Sequence, residues 1–120
     1  MFENKFRIFL VIIAAIVLLA ALLFLKNKNS AAESNREEIT ITLKNIAANA
    51  QTHYKRTNSF SGWEIPRSLR SEEVGTFREI VENDKVIIYV VGKEVGENGT
   101  SNVNVKCLIT GNNTAIKIRN

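Results

Sequence analysis

Residues Ile8–Leu25 read IFLVIIAAIVLLAALLFL, eighteen residues with no charge, no polar side chain, no Gly and no Pro. As an α-helix this run spans about 27 Å, close to the hydrocarbon thickness of a bilayer. A single helix pairs its own backbone N–H and C=O groups, which lipid requires. Lys5 and Arg7 precede the run and Lys26 and Lys28 follow it, so long basic stems bracket an apolar segment. The segment is too uniformly apolar for the core helix of a small domain. It also exceeds the 7–15-residue apolar stretch of a secretory signal, although Ser30-Ala31-Ala32 would serve as a small-residue cleavage site. The expectation is an uncleaved membrane anchor over residues 1–28, with one globular domain over 29–120.

Charge counting follows that division. Residues 1–28 hold four basic side chains and Glu3, a net +3; residues 29–120 hold twelve basic and eleven acidic ones, a net +1. The basic excess of the chain therefore sits at the membrane ends, and a phosphate-binding surface and nucleic-acid partner are not indicated. With two Lys/Arg near each end, the amino terminus tips the balance towards an inside N-terminus and an outside domain.

No Pro or Gly occurs before Gly62. In the stem, residues 29–56, Ile39, Leu43, Ile46, Ala47, Ala50 and Tyr54 recur at the three- and four-residue spacing of one helix face. Glu37 and Glu38 come early and Lys55 and Arg56 late, as the helix dipole favours. Ser34 with Glu37 has the form of a capping box. Two versions stand: a second helix starting near Ser34, or one helix from the membrane to about Arg56. The alanines on the stripe let another surface approach closely, most simply a following sheet.

Residues 57–73 form a connector carrying the only Trp and the only Pro. Phe60, Trp63, Ile65 and Leu69 are expected to plug the end of the core, with Trp63 also a candidate contact residue. Over residues 74–120 the period becomes strand-like. Thr76–Val81 is a first strand and Lys85–Val91 a second, apolar on both faces and hence central. Gly92–Ser101 is expected to be a polar loop. Val103–Thr110 and Ala115–Arg119 complete an antiparallel meander of four strands. The fold class is α+β, a long N-terminal helix packed on a four-stranded antiparallel sheet.

The succession of apolar helix, helical stem and small antiparallel sheet resembles type IV pilins and pseudopilins. The words Asn35-Arg36-Glu37-Glu38-Ile39, Leu43-Lys44-Asn45-Ile46-Ala47, Ala50-Gln51-Thr52-His53-Tyr54-Lys55-Arg56 and Ser59-Phe60-Ser61-Gly62 resemble those of a group of small bacterial pilin-like membrane proteins. Gly92 to Gly99 resembles that group's Gly-rich acidic loop. Most members of the group carry no assigned function. The resemblance implies a structural subunit that assembles through Ile8, Leu10, Ile12, Ile16, Leu19, Leu22, Leu23 and Leu25. Its stem would pack on the sheet through Ile39, Leu43, Ile46, Ala50 and Tyr54. It implies self-association or other envelope proteins as partners, and membrane lipid before assembly. The implied location is the inner membrane, with the C-terminal domain extracytoplasmic, or an extracellular filament. Classical prepilins carry a Gly-Phe cleavage site and a glutamate at the fifth mature position. Met1-Phe2-Glu3 supplies Phe and an acid without that Gly or that spacing, and Ile8–Leu25 supplies no acid.

Catalytic chemistry has little to stand on. His53 and Cys107 are each the only residue of their kind, so no zinc spacing and no intrachain disulfide exist. Asp84 is the sole aspartate, and no Ser lies in a nucleophile motif. Residues Gly92–Gly99 lack the Lys-Ser/Thr of a phosphate loop. Glu94, Glu97 and Asn98 remain as surface or contact candidates, without EF-hand spacing for calcium. The expectation is a non-enzyme without a cofactor or metal. The alternative to a filament subunit is a membrane-anchored extracytoplasmic interaction module that does not polymerise.

Overall fold

The computed structural model describes the backbone of residues 2–120 and the side chains of residues 4–21 and 30–120. Its elements are one helix, α1 (Phe2–Thr57), and four strands, β1 (Gly75–Val81), β2 (Lys85–Val95), β3 (Asn102–Thr110) and β4 (Thr114–Ile118). The chain divides into two compact units, Met1–Ala31 and Ala32–Asn120.

Of the two versions of the stem, the continuous helix holds: residues 26–34 are helical. Ser34 is therefore an interior residue and not an N-cap, and the capping-box reading falls. The Asn and Ser residues of this stretch cost only tenths of a kcal/mol each as helix formers, about 0.7 at most, and neither Gly nor Pro interrupts them. The helix ends where Asn58 adopts a left-handed conformation, φ 58°, and donates its N–H to the Tyr54 carbonyl at 2.6 Å. Asn tolerates that conformation better than other residues with a Cβ, so it terminates the helix without Gly.

The second unit is a two-layer α+β packing. The strands pair antiparallel in the order β1-β2-β3-β4, so β2 is central as its two apolar faces predict. The register aligns Phe77, Val90, Val105 and Ile118 in one row across the inner face, and Ile88, Cys107 and Ile116 in the next. Against this face α1 presents Ile39, Leu43, Ile46 and Ala50, all fully buried. Phe60, Trp63 and Ile65 of the connector join the same core, and Leu69 packs partly buried against it. Trp63 is therefore a packing residue and not a surface contact: it is 6% exposed, and its indole N–H donates to Asn49 Oδ1 at 3.0 Å. A buried indole needs such a partner, and Asn49 on α1 supplies it.

One strand end departs from expectation. β2 does not stop at Val91 but continues to Val95, with a register shift between Val91 and Val95, and the polar loop contracts to residues 96–101. Gly92 remains in the sheet as the partner of Gly75. Part of the reason lies in a side chain of α1, described below.

Each large aliphatic side chain in this core gains about 1.5–3 kcal/mol on leaving water. Leu43→Ala is expected to destabilise the second unit by about 2–5 kcal/mol in urea unfolding of the detergent-solubilised chain, through lost burial and the cavity left behind. Cys107 offers a pH readout. Burial pushes its thiol from 9.0 up to about 11, because the thiolate would lose its hydration. The stability contributed by the neutral thiol is fully present below pH 9 and is lost as pH climbs through about 11. Iodoacetamide is expected to leave Cys107 unlabelled at pH 8 until the chain is unfolded.

Candidate functional site

The first unit carries the most conspicuous chemical feature, an apolar surface with no protein cover. Asn4–Ala21 has a mean hydropathy of 2.2, and none of it is buried. Ile8, Leu10, Ile12, Ile16 and Leu19 are 50–62% exposed. The side chains of Leu22, Leu23 and Leu25 lie outside the described residues. This helix is long and apolar enough to cross a membrane, and an N-terminal signal sequence has the same character. Such a surface is stable only in a water-poor medium, whether lipid or the apolar surfaces of other helices.

In the second unit the stem residues meet as their spacing predicts. Ile39, Leu43, Ile46 and Ala50 are fully buried, and the Tyr54 ring lies 4.7 Å from the Phe60 ring, centroid to centroid. Tyr54 closes the core at the end where Gly111 turns β3 into β4; a Cβ at Gly111 would run into the Tyr54 ring.

At the opposite end of the stripe sits a polar side chain, Asn35, 5% exposed. Its Nδ2 donates to the Val74 carbonyl at 2.8 Å. Its Oδ1 accepts from the backbone N–H groups of Lys93 at 3.0 Å and Glu94 at 3.3 Å. One carboxamide thus ties α1 to the residue before β1 and to the bulged end of β2. Gly92 makes the approach feasible, since a Cβ there would collide with the Asn35 carboxamide. Lys93 and Glu94 lie where the β2–β3 register breaks, and Asn35 takes over as acceptor for their N–H groups. With the pairing of Val95 to Asn102 and the Asn102 Nδ2 bond to the Gly92 carbonyl, this holds β2 past Gly92. The phase of the stem stripe, extended back by four residues from Ile39, falls on Asn35. A polar residue in the buried phase was the available signal, and the apolar pattern alone passes over it.

Glu94, Glu97 and Asn98 do not converge. Asn98 Oδ1 accepts from the N–H groups of Thr100 and Ser101, each at 3.0 Å, and from Asn120 Nδ2 at 3.2 Å. Glu97 lies 4.0 Å from the Arg36 guanidinium, at the long limit of an ion pair. No group of three or more His, Cys, Asp or Glu side chains able to hold a metal ion occurs among the described residues. Asn120 closes the 96–101 loop, donating also to the Ser101 and Asn102 carbonyls. His53 Nε2 lies 3.2 Å from the Ser61 carbonyl and donates to it when that nitrogen carries the proton.

Two further polar ties escaped the sequence reading. Gln51 Nε2 reaches the Thr110 and Asn113 carbonyls and Thr114 Oγ1, each at 3.2 Å, and so fastens the β3–β4 turn to α1. Arg70 pairs with Glu79 and also donates to the Phe77 carbonyl. It thereby occupies part of the free edge of β1 and compensates a carboxylate on the inner side of that strand. No family model, curated protein or solved structure matches the chain.

Asn35→Ala is expected to cost about 1–3 kcal/mol in urea unfolding, because the Val74 carbonyl and the Lys93 and Glu94 N–H groups lose their buried partner. Hydrogen exchange should localise the effect, accelerating the Lys93 and Glu94 amides more than those of Ile88 and Cys107.

Proposed function

We propose that this chain is a pilin-like structural subunit, or a minor pseudopilin, that assembles through its apolar N-terminal helix into an envelope or extracellular filament. The observation that carries the reading is the wholly exposed apolar stretch Asn4–Ala21 on a helix that also supplies the core stripe of a folded helix-on-sheet unit. One element thus offers an apolar surface for association while its other half is committed to a stable domain. The combined sequence words of the stem and connector support the same reading. Before assembly the segment would reside in the inner membrane as a single-pass anchor, with the C-terminal domain extracytoplasmic. In the filament the same side chains would exchange lipid for neighbouring helices. The activity is structural, with no catalytic step and no cofactor.

A second reading, a membrane-tethered interaction module that does not polymerise, is favoured by one observation. Ile8–Leu25 contains no carboxylate to pair with a neighbour's amine. Assembly here would therefore rest on apolar packing and on contacts between the folded units.

Ile12→Arg and Leu19→Arg, made singly, are expected to abolish large particles in the sheared surface fraction, since each places a charge in a water-poor interface. Electron microscopy with an antibody to residues 35–120 reads the outcome. Wild-type epitope confined to small membrane particles, beside a stoichiometric co-purifying protein, would sink the filament reading in favour of the tethered module. The mass of the mature chain separates an anchor from a cleaved signal.

A further inference from the structure

The outer face of the sheet, turned away from α1, carries a cationic row on three of its four strands. The register places Arg78, Tyr89, Lys106 and Lys117 in one row. Neighbouring strands lie about 4.8 Å apart, so Lys106 and Lys117 are directly opposed like charges, a destabilising pairing. The Lys106 ammonium lies 5.7 Å from the centre of the Tyr89 ring, which relieves the repulsion only in part. Among the described residues, none of the three cations forms an ion pair with a carboxylate. No Asp or Glu occupies an outward position on the strand segments 76–80, 87–91, 104–108 or 115–117. Exposed Ile80, Val91 and Leu108 flank the row. The second unit is nearly neutral as a whole, so its negative charge is displaced to other surfaces. One such surface is the exposed side of α1 around Ile41, itself 61% exposed, where Glu33, Glu37 and Glu38 outnumber Lys44 and where Arg36 is turned to Glu97.

From these two surfaces we infer a docking contact between copies of this chain, in which the cationic outer sheet face of one receives the acidic α1 face around Ile41 of another. Cations flanked by exposed aliphatics on one side match carboxylates around an exposed isoleucine on the other. The chain itself therefore carries the complementary partner. The contact joins two different faces, so a pair of copies keeps one free face of each kind and addition continues without limit unless a ring closes. The inference rests on the filament reading, to which it adds a contact between folded units where the apolar segment has no charge pair of its own.

The experiment uses the full chain in neutral detergent micelles, where apolar helix contacts are replaced by detergent. Sedimentation is measured at low and high salt. Wild type is expected to self-associate, with a dissociation constant that weakens at high salt. Lys106→Glu with Lys117→Glu, and separately Glu37→Lys with Glu38→Lys, are each expected to weaken association by about tenfold or more. Mixing the two charge-reversed chains should restore it, which misfolding of either would prevent. A monomeric wild type, or association indifferent to both reversals, overturns the docking contact. The Arg substitutions in the apolar helix, read in the sheared surface fraction, still judge the filament reading independently. Binding to phosphatidylglycerol bicelles that is lost in the Lys106/Lys117 variant, with self-association unchanged, would assign the face to lipid and overturn the contact too.

Discussion

Everything in the second unit depends on one packing constraint. A narrow stripe of α1 must lie close enough to the sheet to be dehydrated along its whole length. Ala47 and Ala50 are buried beside Leu43 and Ile46 on that stripe. Cys107, a small side chain, occupies the middle of the facing surface, between Ile88 and Ile116. Burial leaves little room for error in register, because a one-residue slip of any strand would turn its buried side chains to solvent. Polar ties near the two ends of the stripe fix that register. Asn35 holds β2 and the entry to β1, while Gln51 holds the β3–β4 turn. Each tie joins residues more than fifty positions apart in most of its bonds, so the ties specify tertiary arrangement rather than local structure. Asn35 serves the Lys93 and Glu94 N–H groups where the strand register breaks, which is where a side-chain carboxamide is most effective.

The period of the sequence carried the architecture because burial on this fold is periodic. The stripe from Ile39 to Tyr54 and the alternation from Val103 to Ile109 each report which side faces the core, and both faces formed as spaced. The central position of β2 was legible for the same reason: a strand covered by neighbours on both edges and by α1 on one face tolerates apolar residues throughout. What escaped was chemistry that obeys no period. Asn35 sits at a core phase with a polar side chain, and its partners are backbone groups near residues 74 and 93, invisible to any local window. The extension of β2 to Val95 rests on that carboxamide together with the pairing of Val95 to Asn102. Trp63 was ambiguous because an indole serves packing and contact equally well in sequence; only the position of Asn49 on α1 decides it. The capping box at Ser34 was a correct local pattern in a place where the helix had already begun.

Net charge concealed a segregation that only the strand register reveals. Arg78, Lys106 and Lys117 are far apart in sequence and fall into one row once β1, β3 and β4 are aligned. In a monomer with no partner, selection for stability alone would favour alternating signs across such a row, since opposite charges on neighbouring strands attract and like charges repel. Glu79 lies one residue from Arg78, yet it faces inward and is committed to Arg70. The sheet thus spends its nearest carboxylate on holding the β1 edge and leaves the cations of the outer face to solvent.

In the filament proposed above, the two units would divide the work of association by the medium in which each operates. The apolar surface of Asn4–Ala21 gains by leaving water but has almost no directional chemistry, so it can bring helices together without dictating their offset. Orientation must come from groups whose energy depends on direction and sign, and those are confined to the folded unit. Charged faces on opposite sides of a two-layer domain are suited to that task, because a mismatched neighbour presents like charge and is rejected. A subunit without a carboxylate in its apolar helix would have no other source of register. The cationic row of the sheet and the acidic face of α1 are therefore where the geometry of an assembly of this chain would be set.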